Sequence, residues 1–236
     1  MGVLAIWRYP IKAMLGEALA AARITRGGIP GDRRWVVVDR RTGERIANKR
    51  GPTDPRLRAC RATLGDDDEL RVELPDGAVA AGDEIPGALG ELLGRPVALQ
   101  RGEHHDFAAV HLLAGRTLAR LRQAAPASDW SPRRFRANLL LDGGPDGDFT
   151  EDALVGTELR GRSGVRLGVM IATPRCVVPT RASEELPADP ALLKTLARRH
   201  MVDLGEYGRG ACLGAYADVR AEGALAIGER LEVVAA

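Results

Sequence analysis

The chain has 236 residues, 45% of them hydrophobic, enough to bury a full core as one large domain or two small ones. With 34 basic against 32 acidic side chains, a formal net charge of +2, it carries no strong electrostatic footprint for nucleic acid. The apolar run Val3 to Trp7 is too short for a signal segment or a membrane span, and three cysteines without CxxC spacing exclude a zinc knuckle and suggest a reducing, cytoplasmic setting.

Val3 to Trp7 reads as a first strand, stopped by Pro10, and Tyr9 to Met14 as a loop carrying Lys12. Leu19 to Thr25 predicts one strand, and Gly27 to Asp32 a turn by composition. Trp35 to Asp39 is a strong strand, turned back at Arg41 to Glu44 into Arg45 to Ala47. Pro52 to Pro55 reads as a loop. Leu57 to Leu64 and Leu70 to Leu74 predict strands flanking the acidic turn Asp66 to Glu69, which lacks the spacing of a calcium loop. A short helix over Leu89 to Leu93 and a strand over Val97 to Gln100 end the first half.

At Arg101 to Asp106 the composition turns polar, placing a domain boundary between residues 1–100 and 101–236. His104, His105 and Asp106 invite a metal, but neighbouring side chains point apart in extended chain, so a polar loop is the better reading. Val110 to Leu113 is a short apolar run. Gly115 to Arg122 follows as a helix with Leu118 and Leu121 on one face. Leu139 to Leu141 predicts a strand and Asp142 to Asp148 a Gly-rich loop. Asp189-Pro190 is a helix start, an Asp cap with Pro at the first position, and Leu192, Leu193 and Leu196 line its buried face. Gly205 to Gly210 reads as flexible, Ala211 to Val219 as strand, and Ala226 to Val234 as a turn and last strand. Many short strands with few helices indicate a β-rich α+β architecture, barrel-like with appended helices.

The chemistry centres on Ala172-Thr173-Pro174-Arg175-Cys176. A buried strand, Val165 to Ile171, precedes it, and Pro174 has no N–H to give a ladder. Cys176 is therefore expected just past a strand end, where the Arg175 guanidinium favours the thiolate that binds soft metals. From the pentapeptide alone, an inert buried cysteine beside Val177 and Val178 remains the alternative. Four further segments place a cation, an amide or a phenol near a turn or strand end: Tyr9-Pro10-Ile11-Lys12, Gly31-Asp32-Arg33-Arg34-Trp35, Phe135-Arg136-Ala137-Asn138 and Leu213 to Val219. Converged, they would make a pocket with one soft ligand and fixed donors, suited to an anionic cofactor carrying a thiophilic metal.

These five segments, in order and rough separation, resemble the MOSC family, named for the C-terminal domain of molybdenum cofactor sulfurases. The chain is most similar to the mitochondrial amidoxime-reducing component and its bacterial relatives. The resemblance implies an N-terminal β-rich domain followed by a MOSC-type β-barrel. It implies a molybdenum cofactor (Mo-molybdopterin), with Cys176 as the metal ligand and catalytic residue. Lys12, Arg33, Arg136 and Asn138 would hold the pterin and its phosphate, Arg175 would shape the site, and Tyr216 would lie against the cofactor. It implies an oxidoreductase acting on small N-hydroxylated substrates, fed by a separate electron-donor protein of ferredoxin, flavodoxin or cytochrome type. A persulfide carrier on Cys176 and a cofactor-binding module without turnover are the alternatives, and the family also admits pyridoxal phosphate binding. Ala13 and Ala114 stand where the family often has a hydroxyl, so backbone N–H groups would have to serve there. Cys60 and Cys212 match no family segment and are expected to be structural.

Overall fold

A computed structural model describes residues 1–46, 54–65, 68–183 and 186–235. Ala47, the expected loop from Pro52 as far as residue 53, and Asp66 and Asp67 of the acidic turn lie outside the described residues. The first half contains β1 (Gly2–Arg8), β2 (Glu17–Leu19), β3 (Ala21–Ile24), β4 (Trp35–Asp39), α1 (Pro55–Ala59), β5 (Arg61–Leu64), β6 (Leu70–Glu73), β7 (Val79–Ala81), α2 (Ile85–Leu93) and β8 (Val97–Arg101). The second contains β9 (Val110–Ala114), α3 (Gly115–Ala124), β10 (Leu139–Asp142), β11 (Thr157–Arg160), β12 (Arg166–Pro174), α4 (Ala191–Arg199), β13 (Met201–Asp203), β14 (Arg209–Ala221), β15 (Gly223–Ala226) and β16 (Glu232–Ala235).

The dominant sheet runs β16-β11-β12-β14-β9-β10-β1-β2, with β13 paired to β14. It is antiparallel except for β9 beside β10. The first strand therefore sits between β10 and β2, inside a sheet built mostly from the second half. A bridge from Gly2 to Arg230 draws the beginning and end of the chain together, yet β16 and β2 remain edges, so no continuous ladder closes a barrel among the described residues. Val3, Ile6, Leu112, Leu139, Leu167 and Ala217 form its core. A second core gathers Ile11, Val37, Leu57, Val72 and Leu89 from the loop after β1, β4, the β5-β6-β7 sheet and the two first-half helices. A third lies under α3 and α4, where Leu118, Leu121, Leu192 and Leu196 are buried as their spacing predicts.

Several elements differ from expectation: β7, β11, β13 and β15 have no counterpart in the sequence reading, and others differ through a long-range partner or a local cap. The strand over Leu19 to Thr25 divides at Ala20, because β2 pairs with β1 whereas β3 pairs with β15 in another sheet. Leu57 lies in a helix: Asp54 Oδ1 accepts from the Arg56 N–H at 3.0 Å and Pro55 opens α1. The same Asp-Pro signal starts α4, where Asp189 Oδ1 accepts from Ala191 and Leu192, each at 3.2 Å. Gly205 to Gly210 is a tight 3-10 turn, Gly205–Tyr207, running straight into β14. No described helix is long and apolar enough to cross a membrane.

Candidate functional site

The β12 ladder reaches one step further than Pro174 alone would allow. After a bulge, Pro174 stands opposite Cys212, and the Arg175 N–H donates to Ala211 O at 2.8 Å, supplying the bond proline cannot. Cys176 follows directly and is exposed. The thiol therefore stands at the end of a buried strand, in an open pocket. Six of the seven expected site residues line it: Lys12, Arg33, Arg136, Arg175, Cys176 and Tyr216. The seventh, Asn138, is buried against them. Its Oδ1 accepts from the His111 N–H at 3.1 Å and Arg33 Nη1 at 3.3 Å, and its Nδ2 donates to Trp7 O at 3.3 Å. It positions Arg33 and does not reach the pocket itself.

The lining is strongly positive. Lys12, Arg33, Arg58, Arg134, Arg136 and Arg175 face a single carboxylate, Asp106. Lys12 Nζ donates to Asp106 Oδ1 at 2.8 Å and to His104 O at 3.0 Å. Arg33 donates to Asp32 and, through Nη2, to Arg136 O at 2.8 Å. Burial pulls the Arg33 pKa down, but Asp32 and its neighbours outweigh it and the net shift is upward. Arg136 lies over the Tyr9 ring, 4.3 Å from its centroid, and donates to Met14 O. Burial and then the nearby Arg33 lower its pKa to about 10, so it stays charged at neutral pH. Arg175 gives Nε to Leu213 O at 2.7 Å and Nη1 to Phe135 O at 3.2 Å. Burial lowers its pKa as well. Among the described residues no carboxylate is ion-paired with Arg136 or Arg175. Desolvated cations without a counter-ion are costly, and the ordinary relief is a bound anion.

Backbone strain concentrates here too. Among the described residues four non-glycine residues have positive φ, and three of them line this pocket: Ala13 at 74°, Arg33 at 50° and Arg136 at 52°. Such conformations cost about 1–3 kcal/mol each and persist where the surroundings hold them, characteristically at functional sites.

Several residues in and around the pocket have no role assigned from the sequence. His111 sits in fully buried β9, and its Nε2 meets Arg175 Nη2 at 2.5 Å. Burial first, then Arg175 and Arg33, push its pKa well below the usual histidine value, so the ring is a neutral acceptor. Tyr9 lies beneath Arg33 and Arg136, and burial pushes its phenol up to about 12. Phe107 stacks on Tyr216 with centroids 5.6 Å apart, and Tyr207 meets Phe107 edge-on at 5.2 Å. Arg134 of the basic cluster is turned inward to Asp129, Pro179 O and Pro187 O. Around His104 and His105, as elsewhere among the described residues, no group of three or more His, Cys, Asp or Glu side chains is placed to hold a metal ion. Cys60 and Cys212 are fully buried, and burial pushes the Cys212 thiol up to about 11, as suits structural residues.

Two family models match this sequence, the MOSC N-terminal beta barrel domain over residues 1–87 and the MOSC domain over residues 100–232. Among solved structures, the YuaD protein from Bacillus subtilis aligns over 100% of this chain and 96% of its own, with a TM-score of 0.54 and 15% identity; the likeness is one of fold. YiiM from Geobacillus stearothermophilus aligns over 53% of this chain and 54% of its own, with a TM-score of 0.39 and 17% identity. No curated protein matches.

Proposed function

The chain belongs to the MOSC domain family, and from that premise we propose that it binds a molybdenum cofactor around Cys176 and reduces small N-hydroxylated substrates. One observation carries the reading: an exposed thiol shares a pocket with Arg136 and Arg175, neither of which is ion-paired with a carboxylate among the described residues. The donor set suits the group. A thiolate is the soft ligand that molybdenum prefers, and a pterin phosphate is the anion that unpaired arginines call for.

In this reading Cys176 is the metal ligand. Lys12, Arg33 and Arg136 hold the pterin and its phosphate, with Asn138 fixing Arg33 from behind. Arg175 is anchored to Leu213 O and Phe135 O, and so shapes the wall beside the thiol. Tyr216, stacked on Phe107, offers a flat face. Asp106 occupies Lys12 and must yield it when a phosphate arrives. Ala13 offers no hydroxyl, so contacts there fall to the backbone. When bound, the cofactor would supply two-electron removal of an oxygen atom from an N–OH group, released as water, with electrons from a separate donor protein. The division into residues 1–100 and 101–236 belongs to the same proposal, the first part supplying Lys12 and Arg33 to a site carried by the second.

The test is metal and pterin analysis of protein made in a cofactor-competent host, alongside Cys176→Ser. The expected result is stoichiometric molybdenum and pterin in the wild type, with molybdenum and amidoxime reduction both lost in the variant. Wild-type protein free of molybdenum overturns the reading. The exposure of Cys176 equally suits a persulfide carrier. A labile extra sulfur on Cys176 in intact-mass spectra, without pterin, would favour that second reading.

A further inference from the structure

Aromatic side chains are scarce in this chain, at 4%. Of its three Trp, three Tyr and three Phe, all within the described residues, only Phe107 and Tyr207 are exposed, at 42% and 58%. These two come from segments far apart in sequence, yet they touch: the ring centroids are 5.2 Å apart and the planes stand at 87°. Phe107 also stacks on Tyr216, with centroids 5.6 Å apart and planes 25° apart. Tyr216 lines the pocket that holds Cys176, and so does Asp106, the residue before Phe107. The three rings therefore form one shelf running outward from the pocket. Apolar residues exposed singly are ordinary on a protein surface, whereas exposed rings in contact with one another beside a pocket mark a contact site. The Tyr207 hydroxyl is hydrogen-bonded to the exposed Glu206, which ties down the outer ring.

The occupant must be small. Two half-exposed rings offer on the order of 200 Å². A stable protein interface takes about 800 Å² from each partner. What an aromatic surface of this size prefers is another flat π-system, stacked or edge-on. We propose that Phe107 and Tyr207 are specificity-determining residues, selecting substrates that carry the reducible group on a planar aromatic body over aliphatic ones. The N–OH end enters the cationic pocket toward Cys176 while the ring lies on the shelf. The identity of the reacting group rests on the reductase reading above; the preference for a flat ring is a statement about binding. Because the shelf stands outside the reacting centre, it supplies remote binding energy, which appears in kcat/KM.

The experiment compares benzamidoxime with cyclohexanecarboxamidoxime, which has the same carbon count and is at least as apolar but is not flat. Both are given to molybdenum-loaded wild type, Phe107→Leu, Tyr207→Leu and Tyr207→Phe, with a chemical reductant as the electron source. Leucine keeps an apolar contact and removes the π-face, and thermal melts check that the variants fold. Wild type is expected to favour the aryl compound by about two- to tenfold in kcat/KM, the size of an aromatic contact beyond simple burial. Each leucine variant should lose most of that preference and Tyr207→Phe should keep it, while kcat/KM for the alicyclic compound changes less than about twofold. NMR titration of the same proteins with the same two compounds reads the preference without turnover. Protein that reduces neither compound therefore fails the reductase reading, and the titration alone then decides the shelf. Equal affinity of wild type for both compounds, or a preference intact in both leucine variants, overturns the proposal. So does sedimentation showing a wild-type dimer that Phe107→Leu dissolves, because a second copy would then cover the rings.

Discussion

His111 is buried and His200 half-buried in different surroundings, and their shifts have opposite signs. His111 meets two guanidinium groups, and burial with Arg175 and Arg33 drives its pKa well below 6.5. His200 is also pulled down by burial, but its hydrogen bonds to Asp152 Oδ2 and to Cys212 O, each at 2.8 Å, outweigh this and the net shift is upward. The raised His200 contributes stability fully below 6.5 and loses it as pH rises through its folded value. The depressed His111 works the other way. Below 6.5 the unfolded chain takes up a proton that the folded one refuses, so stability falls until the folded ring also titrates. Between pH 5 and 8 the urea midpoint is therefore expected to peak near pH 6.5. His111→Gln should flatten the acid limb and Asp152→Asn the alkaline one; a wild-type midpoint that climbs steadily toward pH 5 would contradict the His111 assignment. Of these two rings the sequence announces neither. Cys176, Lys12, Arg33 and Arg136 are legible because their residue types and strand-end positions already imply chemistry. His111 hides inside an apolar run, and its partner Arg175 lies 64 residues away. The contact forms because β12, which ends just before Arg175, and β9, which carries His111, both pair with β14.

Elements are legible where their signals are local and obscure where a partner decides. The Asp189-Pro190 start of α4 and the buried stripe of α3 are written in adjacent residues. The break at Ala20 is not, since it reflects β3 leaving for β15. The turn inside β14 shows what such pairing demands. Gly214 has φ +86°, and a Cβ there would meet Leu112 O at 2.5 Å, His111 Nε2 at 2.6 Å and Arg175 Nη2 at 3.1 Å. The missing side chain is what lets Arg175 lie against His111 and Leu213 O. Gly214→Ala combines a left-handed backbone with a clash against a neighbouring strand, and is expected to cost about 2–4 kcal/mol. It should also displace the Arg175 guanidinium from the pocket wall. Equilibrium unfolding in urea checks the first expectation. The second is checked by the His111 imidazole NMR resonances, which should move toward ordinary titration once the cation withdraws; an unaltered His111 signal in a destabilised variant would show that Gly214 serves the strand alone.

At the scale of the molecule, an overall charge near neutrality conceals the property that matters. Six cations converge on one pocket while the chain as a whole carries +2, because carboxylates are distributed elsewhere. Composition could not reveal this, since the cations come from segments as far apart as Lys12 and Arg175 and meet only through sheet topology. The same topology binds the two halves. β1 lies between β10 and β2, its N–H and C=O groups bond to Glu229 and Gly228 near the chain end, and the Met1 ammonium donates to Leu231 O at 2.6 Å. A fragment of residues 101–236 would lack that strand and expose β10, whose residues Leu139 and Leu141 pack against Val3 and Ile6 in one core, as an apolar edge. Expressed alone it is expected to aggregate or to give poorly dispersed NMR spectra, and co-expression with residues 1–100 should restore a soluble complex. A soluble 101–236 fragment with native-like amide protection across β9 and β10 would mean that the second half completes its sheet without β1. The first half would then contribute Lys12 and Arg33 to the pocket but no strand the fold requires.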